Sequence, residues 1–250
     1  MKFENLTWEE IVFKARNHTL LVPVGSIEQH GPHLPLNVDI MISSAFTREI
    51  NNKLKNTIIA PELTFGARSF PNSGGENLPG TVFISGNILI KVYIDIIKSY
   101  INAGFRKIVF INAHWENEAF LAEAIEICKR ENILKDIKLL MLSWWSLISD
   151  NEMIEIFGKE FIGWHAEHAG KAETSLMMYF YPEMVRNDKL MICKNVPSLG
   201  IYLHPIPLKW IGKQGVLSSS VNSSKEYGKI LAEITIDRIT NLIKKEIIDD

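Results

Sequence analysis

Cysteine is scarce in this chain. Its 250 residues include only Cys128 and Cys193, too few for a disulfide scaffold and without the paired spacing of a thiolate metal site. A reducing, cytoplasmic setting is therefore expected. Net charge is small as well. Twenty-seven basic and 29 acidic side chains leave −2 with neutral histidines, so a polyphosphate has no electrostatic footprint to bind and nucleic acid is excluded as a partner class. No stretch approaches the roughly 18 apolar residues of a membrane span. The opening MKFENLTWEE has no apolar core of the kind a secretory signal needs, so neither a membrane nor export is expected. No linker, low-complexity tract or repeat interrupts the chain, which predicts a single domain over residues 1–250. G-x-G-x-x-G, the P-loop pattern and the G-x-S-x-G elbow are also missing. With neither cysteine in a reactive context, covalent serine or cysteine chemistry finds no support.

The composition is that of an ordinary globular protein, with 46% hydrophobic and 22% charged residues. Short apolar runs at 19–24, 57–60, 107–111 and 137–142 read as buried strands. Helical spacing covers 40–54, 87–103, 117–130, 173–181 and 224–246. Strands alternating with helices imply an α/β fold, here a three-layer α/β/α sandwich around a mostly parallel sheet. Residues 65–81, rich in Gly, Pro, Ser and Asn, form a long loop, and long loops in compact domains are usually functional.

Histidine marks the chemistry. Five of the seven histidines fall in three short segments at strand ends or in loops, where open parallel sheets bind their ligands. The first segment, GSIEQHGPHLPLNVD (25–39), holds Glu28, His30 and Asp39. Glu28 and His30 share a direction if the backbone is extended, and Gly31, Pro32 and Pro35 turn the chain so that Asp39 can return. The second, NAHWEN (112–117), holds His114 and Glu116, again two apart. Two imidazoles and three carboxylates suit a pair of divalent metals. Two such ions carry four positive charges, of which three carboxylates cancel three and a shared hydroxide the fourth, leaving a cluster that can be buried. Without metal the carboxylates would crowd and some would protonate. Mixed nitrogen and oxygen ligation suits zinc or manganese better than calcium. A lone Glu-x-His pair is commonly structural; two at strand ends are a stronger signal. His33 either orders its loop or donates to a ligand from behind.

The third segment, GWHAEHAGKAETSLM (163–177), holds His168, a candidate general acid and base that Glu167 or Glu173 could orient; a structural loop histidine is the alternative. Four of six tryptophans, Trp115, Trp144, Trp145 and Trp164, lie near these segments. Any one of them is more often core, but grouped they suit the wall of a pocket for a small planar molecule. The loop SGGENLPGT (73–81) reads as a cover over the site.

These three segments, in this order and spacing, together with SGGENLPGT and the closing GVLSSSVNSSKEYGKILAE, resemble the creatininase (creatinine amidohydrolase) family over nearly the whole chain. The resemblance implies a three-layer α/β/α fold around two divalent metal ions per subunit. It implies that Glu28 and His114 hold one metal, His30 and Glu116 the other, and that Asp39 bridges them. It implies that His168 shuttles the proton, with Glu116 counted in the catalytic set. Trp145 and Trp164 would enclose the substrate, with Trp115 and Ser73 beside them. A homohexamer and a small cyclic amide substrate, creatinine first, are further implications. Other branches act on formamides, a small peptide or a cyclic ketone. His165 stands where the family has an acidic residue and Trp115 where it has tyrosine, so a different cyclic amide is the alternative. A non-catalytic metal-binding scaffold is a reading from another class.

Overall fold

The computed structural model describes residues 1–70, 78–193, 203–207, 210–211 and 213–249. Four strands, β1 (Thr19–Val24), β2 (Thr57–Ile59), β3 (Lys107–Asn112) and β4 (Lys138–Ser143), form a parallel sheet in the order β2-β1-β3-β4. Helices α1 (Trp8–Lys14), α2 (Val38–Lys53), α3 (Gly86–Asn102), α4 (Asn117–Arg130), α5 (Asp150–Phe157), α6 (Lys171–Phe180) and α7 (Lys225–Ile243) surround it.

Strand alternation divides the apolar residues between two cores. Leu20, Val22, Val24, Ile108 and Phe110 face one layer, packing on Ile11 of α1, Leu89, Tyr93 and Ile97 of α3, and Leu121 and Ala124 of α4. Leu21, Val109, Ile111 and Leu142 face the other, against Val38, Ile42 and Phe46 of α2, Leu176 and Met177 of α6, and Leu231, Ile239 and Ile243 of α7. Each fully buried Leu, Ile or Phe contributes roughly 1.5–3 kcal/mol. The architecture is the expected three-layer sandwich with a parallel sheet.

The register is what places the site. Val24 pairs with Asn112, and Asn112 with Ser143, so β1, β3 and β4 end side by side. The chain leaves β1 toward α2 in one layer and leaves β3 toward α4 in the opposite layer. The connections diverge there, opening the crevice in which parallel sheets take their ligands.

Two helices were not expected from apolar spacing, α1 and α5. Each opens with a reciprocal capping box: Thr7 with Glu10, and Ser149 with Glu152. The boxes, with tertiary packing, stabilise segments too short to show a clear apolar stripe. Among the described residues, no helix is long and apolar enough to cross a membrane.

Candidate metal centre

The site begins where β1 ends. Gly25 lies against the first turn of α2, so close that a Cβ there would stand 2.5 Å from the Ile40 nitrogen. That contact folds the 25–37 loop back, closed by Glu28 N–H donating to the Leu36 carbonyl (2.8 Å), and carries Asp39 to the strand end. After β3, the buried amides of Asn112 and Asn117 staple the neighbouring loops. Asn117 accepts from Ala67 N–H (2.8 Å) and donates to the Gly25 carbonyl (3.0 Å), while Asn112 donates to the His114 carbonyl (2.7 Å). Neither asparagine stood out in the sequence; their spacing around His114 was the available signal.

Glu28, His30, Asp39 and His114 converge, all buried. His114 Nδ1 lies 2.8 Å from Glu28 Oε2 and 3.1 Å from Asp39 Oδ2, and His30 Nε2 lies 3.1 Å from Asp39 Oδ1. Asp39 thus faces both imidazoles. Glu116 sits on the His114 side, its Oε2 3.4 Å from His114 Nε2 and its Oε1 accepting from Phe70 N–H (2.7 Å). Among the described residues, two groups bring donor atoms close enough to share an ion: Glu28 with His114 and Glu116, and His30 with His168 and Glu173. The family resemblance pairs Glu116 with His30. Besides Asp39, the carboxylate near His30 is Glu173, 3.7 Å away, a residue the sequence offers only as an orienter of His168. Glu116 also lines a cleft of about 800 Å³ with Arg68, Phe70, Phe83, Trp115 and Phe120.

The donor atoms fit divalent cations. His30 Nδ1 is held at 3.0 Å by the Glu28 carbonyl and His114 Nε2 at 3.0 Å by the Ala67 carbonyl. A carbonyl only accepts, so those nitrogens carry the hydrogens and the opposite nitrogens turn lone pairs toward carboxylates. A lone pair facing a carboxylate is repulsive unless a proton or a cation lies between. His30 Nε2 and Asp39 Oδ2, both buried, have no aligned hydrogen bond, as expected of atoms aimed at a common point instead of at each other.

The ionisation pattern follows. Burial works against the imidazolium of His30, but Asp39, Glu173 and Glu28 override it and push the pKa up to about 10. His114 is raised well above the ordinary value against burial by Glu28 and Glu116. Burial raises Glu116 to about 7 and Glu173 to about 8, with imidazoles opposing and neighbouring carboxylates adding. Glu28 is buried too, yet His168 and His114 hold it well below the carboxylate range. Protonated imidazoles here supply the positive charge that metal ions would bring.

His168 stands at the edge, Nδ1 3.4 Å from Glu28 Oε1 and its ring 4.5 Å from that of His30. Burial lowers its pKa to about 4, with Glu28 opposing, so the ring is neutral. Neither Glu167 nor Glu173 bonds that ring: Glu167 accepts from Ala172 N–H (2.5 Å) at the start of α6 and Glu173 from Ala169 N–H (2.7 Å). The ring's Nε2 instead meets Gln29, 2.9 Å from its carbonyl oxygen and 3.1 Å from its amide nitrogen. No residue-type or spacing signal in the sequence ties Gln29 to His168.

The four tryptophans form one connected group. Trp115 and Trp145 stack at 5.7 Å with planes 15° apart, Trp145 lies 6.4 Å from Trp164, and Trp144, buried in the core, meets Trp164 edge-on at 5.3 Å. An intercalated ring needs roughly 7 Å between its walls, two van der Waals layers. Trp115 and Trp145 therefore leave no slot between them and act as one wall. Trp164 is pinned by Nε1–H donating to the Ile148 carbonyl (3.2 Å). His33 is bonded to Thr174 (3.0 Å) and buried, tying its loop to α6. Ser73 lies outside the described residues.

A family model described as creatininase, creatinine amidohydrolase, matches residues 4–243. The creatinine amidohydrolase of Pseudomonas putida is 32% identical over 96% of this chain and 95% of its own length. Among solved structures, a mutant creatininase of Zn–Zn type superposes with a TM-score of 0.91 at 30% identity, covering 98% of both chains. A manganese creatininase does so with a TM-score of 0.91 at 31% identity, again covering 98% of both.

Proposed function

This chain belongs to the creatininase family, and from that premise we propose that it is a metal-dependent amidohydrolase that opens a small cyclic amide, with creatinine to creatine as the first choice. The observation that carries the proposal is the pair of imidazoles, each fixed by a backbone carbonyl so that its other nitrogen faces the shared carboxylate of Asp39. We assign two divalent ions, zinc or manganese, to Glu28 with His114 and to His30 with Glu116, Asp39 being shared; Glu173, 3.7 Å from His30, adds a further carboxylate on that side. When bound, such ions supply Lewis acidity and a lowered water pKa.

The chain's own groups do the rest. His168, neutral and with Nδ1 facing Glu28, takes a proton from the attacking water as the C–O bond forms. It then delivers that proton to the ring nitrogen as the C–N bond breaks. Trp145 and Trp164, with Trp115 extending the same wall, hold the planar ring and exclude water, and Ser73 is assigned to the substrate side. The reading extends to one domain, a homohexamer and a cytoplasmic setting. Trp115 and His165, where the family has tyrosine and an acidic residue, favour a second reading in which a formamide or another small lactam is the substrate.

Elemental analysis of purified protein beside turnover of creatinine, formamides and other small lactams tests both. Creatine formed from creatinine is the expected result. Turnover of a formamide or another lactam alone would establish the second reading. Bound metal with no turnover on the whole panel would overturn both and leave a metal-binding scaffold.

A further inference from the structure

We propose that Gln29 is a positioning residue for His168, holding the imidazole in register with the carboxylate cluster and tying that register to the segment around Gly215. The inference rests on the reading of His168 as the proton carrier. Gln29 leaves the loop after β1, whereas His168 precedes α6, 139 residues away. Its side-chain amide has one orientation. Oε1 accepts from Gly31 N–H (3.1 Å) and Nε2 donates to the Gly215 carbonyl (3.0 Å); a flipped amide would set oxygen against oxygen and N–H against N–H. The second amide hydrogen is then directed at His168 Nε2, 3.1 Å away, and the carbonyl oxygen of the same residue lies 2.9 Å from that nitrogen.

One ring nitrogen therefore meets a donor and an acceptor, both from residue 29. While Nδ1 takes and returns a proton, Nε2 keeps its hydrogen and donates it to the Gln29 carbonyl; in the other neutral tautomer Nε2 accepts from the Gln29 amide. Either way Nε2 stays anchored and Nδ1 stays turned to Glu28. A proton carrier needs that property, because its ring must hold one orientation while its proton changes place. Gly215 completes the arrangement. It sits at φ +77°, and a Cβ there would lie 1.6 Å from Gln29 Oε1, so glycine is needed both for its backbone and for the room it leaves. Two residues on, Leu217 N–H donates to the His168 carbonyl (3.1 Å). The same short segment thus grips both partners.

The test is a double-mutant cycle on the metal-loaded enzyme with the nearly isosteric Gln29→Met, together with ¹⁵N resonances of the histidine rings. Gln29→Met should lower kcat about 10- to 100-fold at nearly constant KM and metal content. In the His168→Ala background it should cause no further fall. Gly215→Ala, which displaces the amide without removing it, should reproduce the loss. The His168 ring resonances should shift in both single variants. An equal fall in the His168→Ala background overturns the assignment, as do unchanged His168 resonances in Gln29→Met. If the wild-type protein turns over no amide, the proposed function fails, and the ring resonances still decide the role of Gln29.

Discussion

Gly25→Ala perturbs the candidate centre without touching any of its donors. The new Cβ would stand 2.5 Å from the Ile40 nitrogen, 2.7 Å from its Cα and 2.8 Å from the Asp39 carbonyl carbon. All three are backbone atoms in the first turn of α2, so no rotamer change relieves the clash. Ordinary contact starts at 3.4 Å, so the turn and the strand end must separate by 0.9 Å (3.4 − 2.5). Asp39 rides on that turn, 3.1 Å from both His30 and His114. Metal–ligand distances tolerate about 0.2 Å, several times less than the shift. Overpacking of this kind costs roughly 1–3 kcal/mol, which the unfolded-state entropy gain of about 0.4–1 kcal/mol from Gly→Ala offsets only in part. At mid-range the net cost is about 1.3 kcal/mol, so the Tm should fall by roughly 3–5 °C, at about 2–4 °C per kcal/mol for a chain of this size. Elemental analysis should find less than half the wild-type metal. Wild-type metal content together with wild-type Tm in Gly25→Ala would refute the claim that this contact places Asp39.

Four further outcomes are expected. Glu116→Gln keeps an oxygen for Phe70 N–H but loses its charge; a chelator titration should show metal affinity lowered by about tenfold or more, with kcat reduced, and unchanged affinity would remove Glu116 from the ligand set. His168→Ala should retain its metal by elemental analysis while kcat falls about 10²- to 10⁴-fold, and normal turnover would end its role as proton carrier. Trp164→Ala loses the bond to Ile148 and the contacts to Trp144 and Phe161; KM should rise with kcat little changed, and a fall in kcat alone would argue against a wall that binds ground and transition states alike. The last concerns pH. His30 is raised from 6.5 to about 10, Glu116 from 4.5 to about 7 and Glu173 from 4.5 to about 8, so between about pH 6.5 and 10 the native metal-free state holds more protons than the unfolded chain. Stabilisation from such groups is complete below their unfolded pKa and is lost as pH rises through the folded one. The Tm of chelator-treated protein should fall from pH 7 to pH 9 while zinc affinity rises as competing protons leave; a stripped-protein Tm that climbs over that range would contradict the charge assignment.

Much of the fold was legible because the sheet is buried on both faces. Runs such as TLLVPV and KIVFI admit few other readings, and α4 begins at Asn117 and ends at Arg130 as its spacing predicts. The short helices α1 and α5 were missed because apolar periodicity is weak over seven or eight residues. Their ends were nonetheless written in the T-x-x-E and S-x-x-E patterns of Thr7 and Ser149, which report a hydrogen-bond cap and not a buried face.

The candidate site divides along a similar line. Glu28, His30, Asp39, His114 and Glu116 stand in two short segments at strand ends, so local spacing is enough to collect them. Glu173 and Gln29 acquire their places only through tertiary structure. Glu173 approaches His30 because α6 packs on the α2 layer, and Gln29 reaches His168 across the crevice. No spacing rule links residues so far apart in sequence. Burial supplies the remaining constraint. Two imidazoles whose outer nitrogens are committed to backbone carbonyls must each share the inner one with a proton or a cation. Burying Glu28, Asp39 and Glu173, with Glu116 half-buried, beside those imidazoles is costly unless positive charge is delivered among them. A segment-by-segment reading could count three of those carboxylates in the candidate centre. The fold adds a fourth, Glu173, 3.7 Å from His30, which joins His30 and His168 in a group of donor atoms close enough to share an ion.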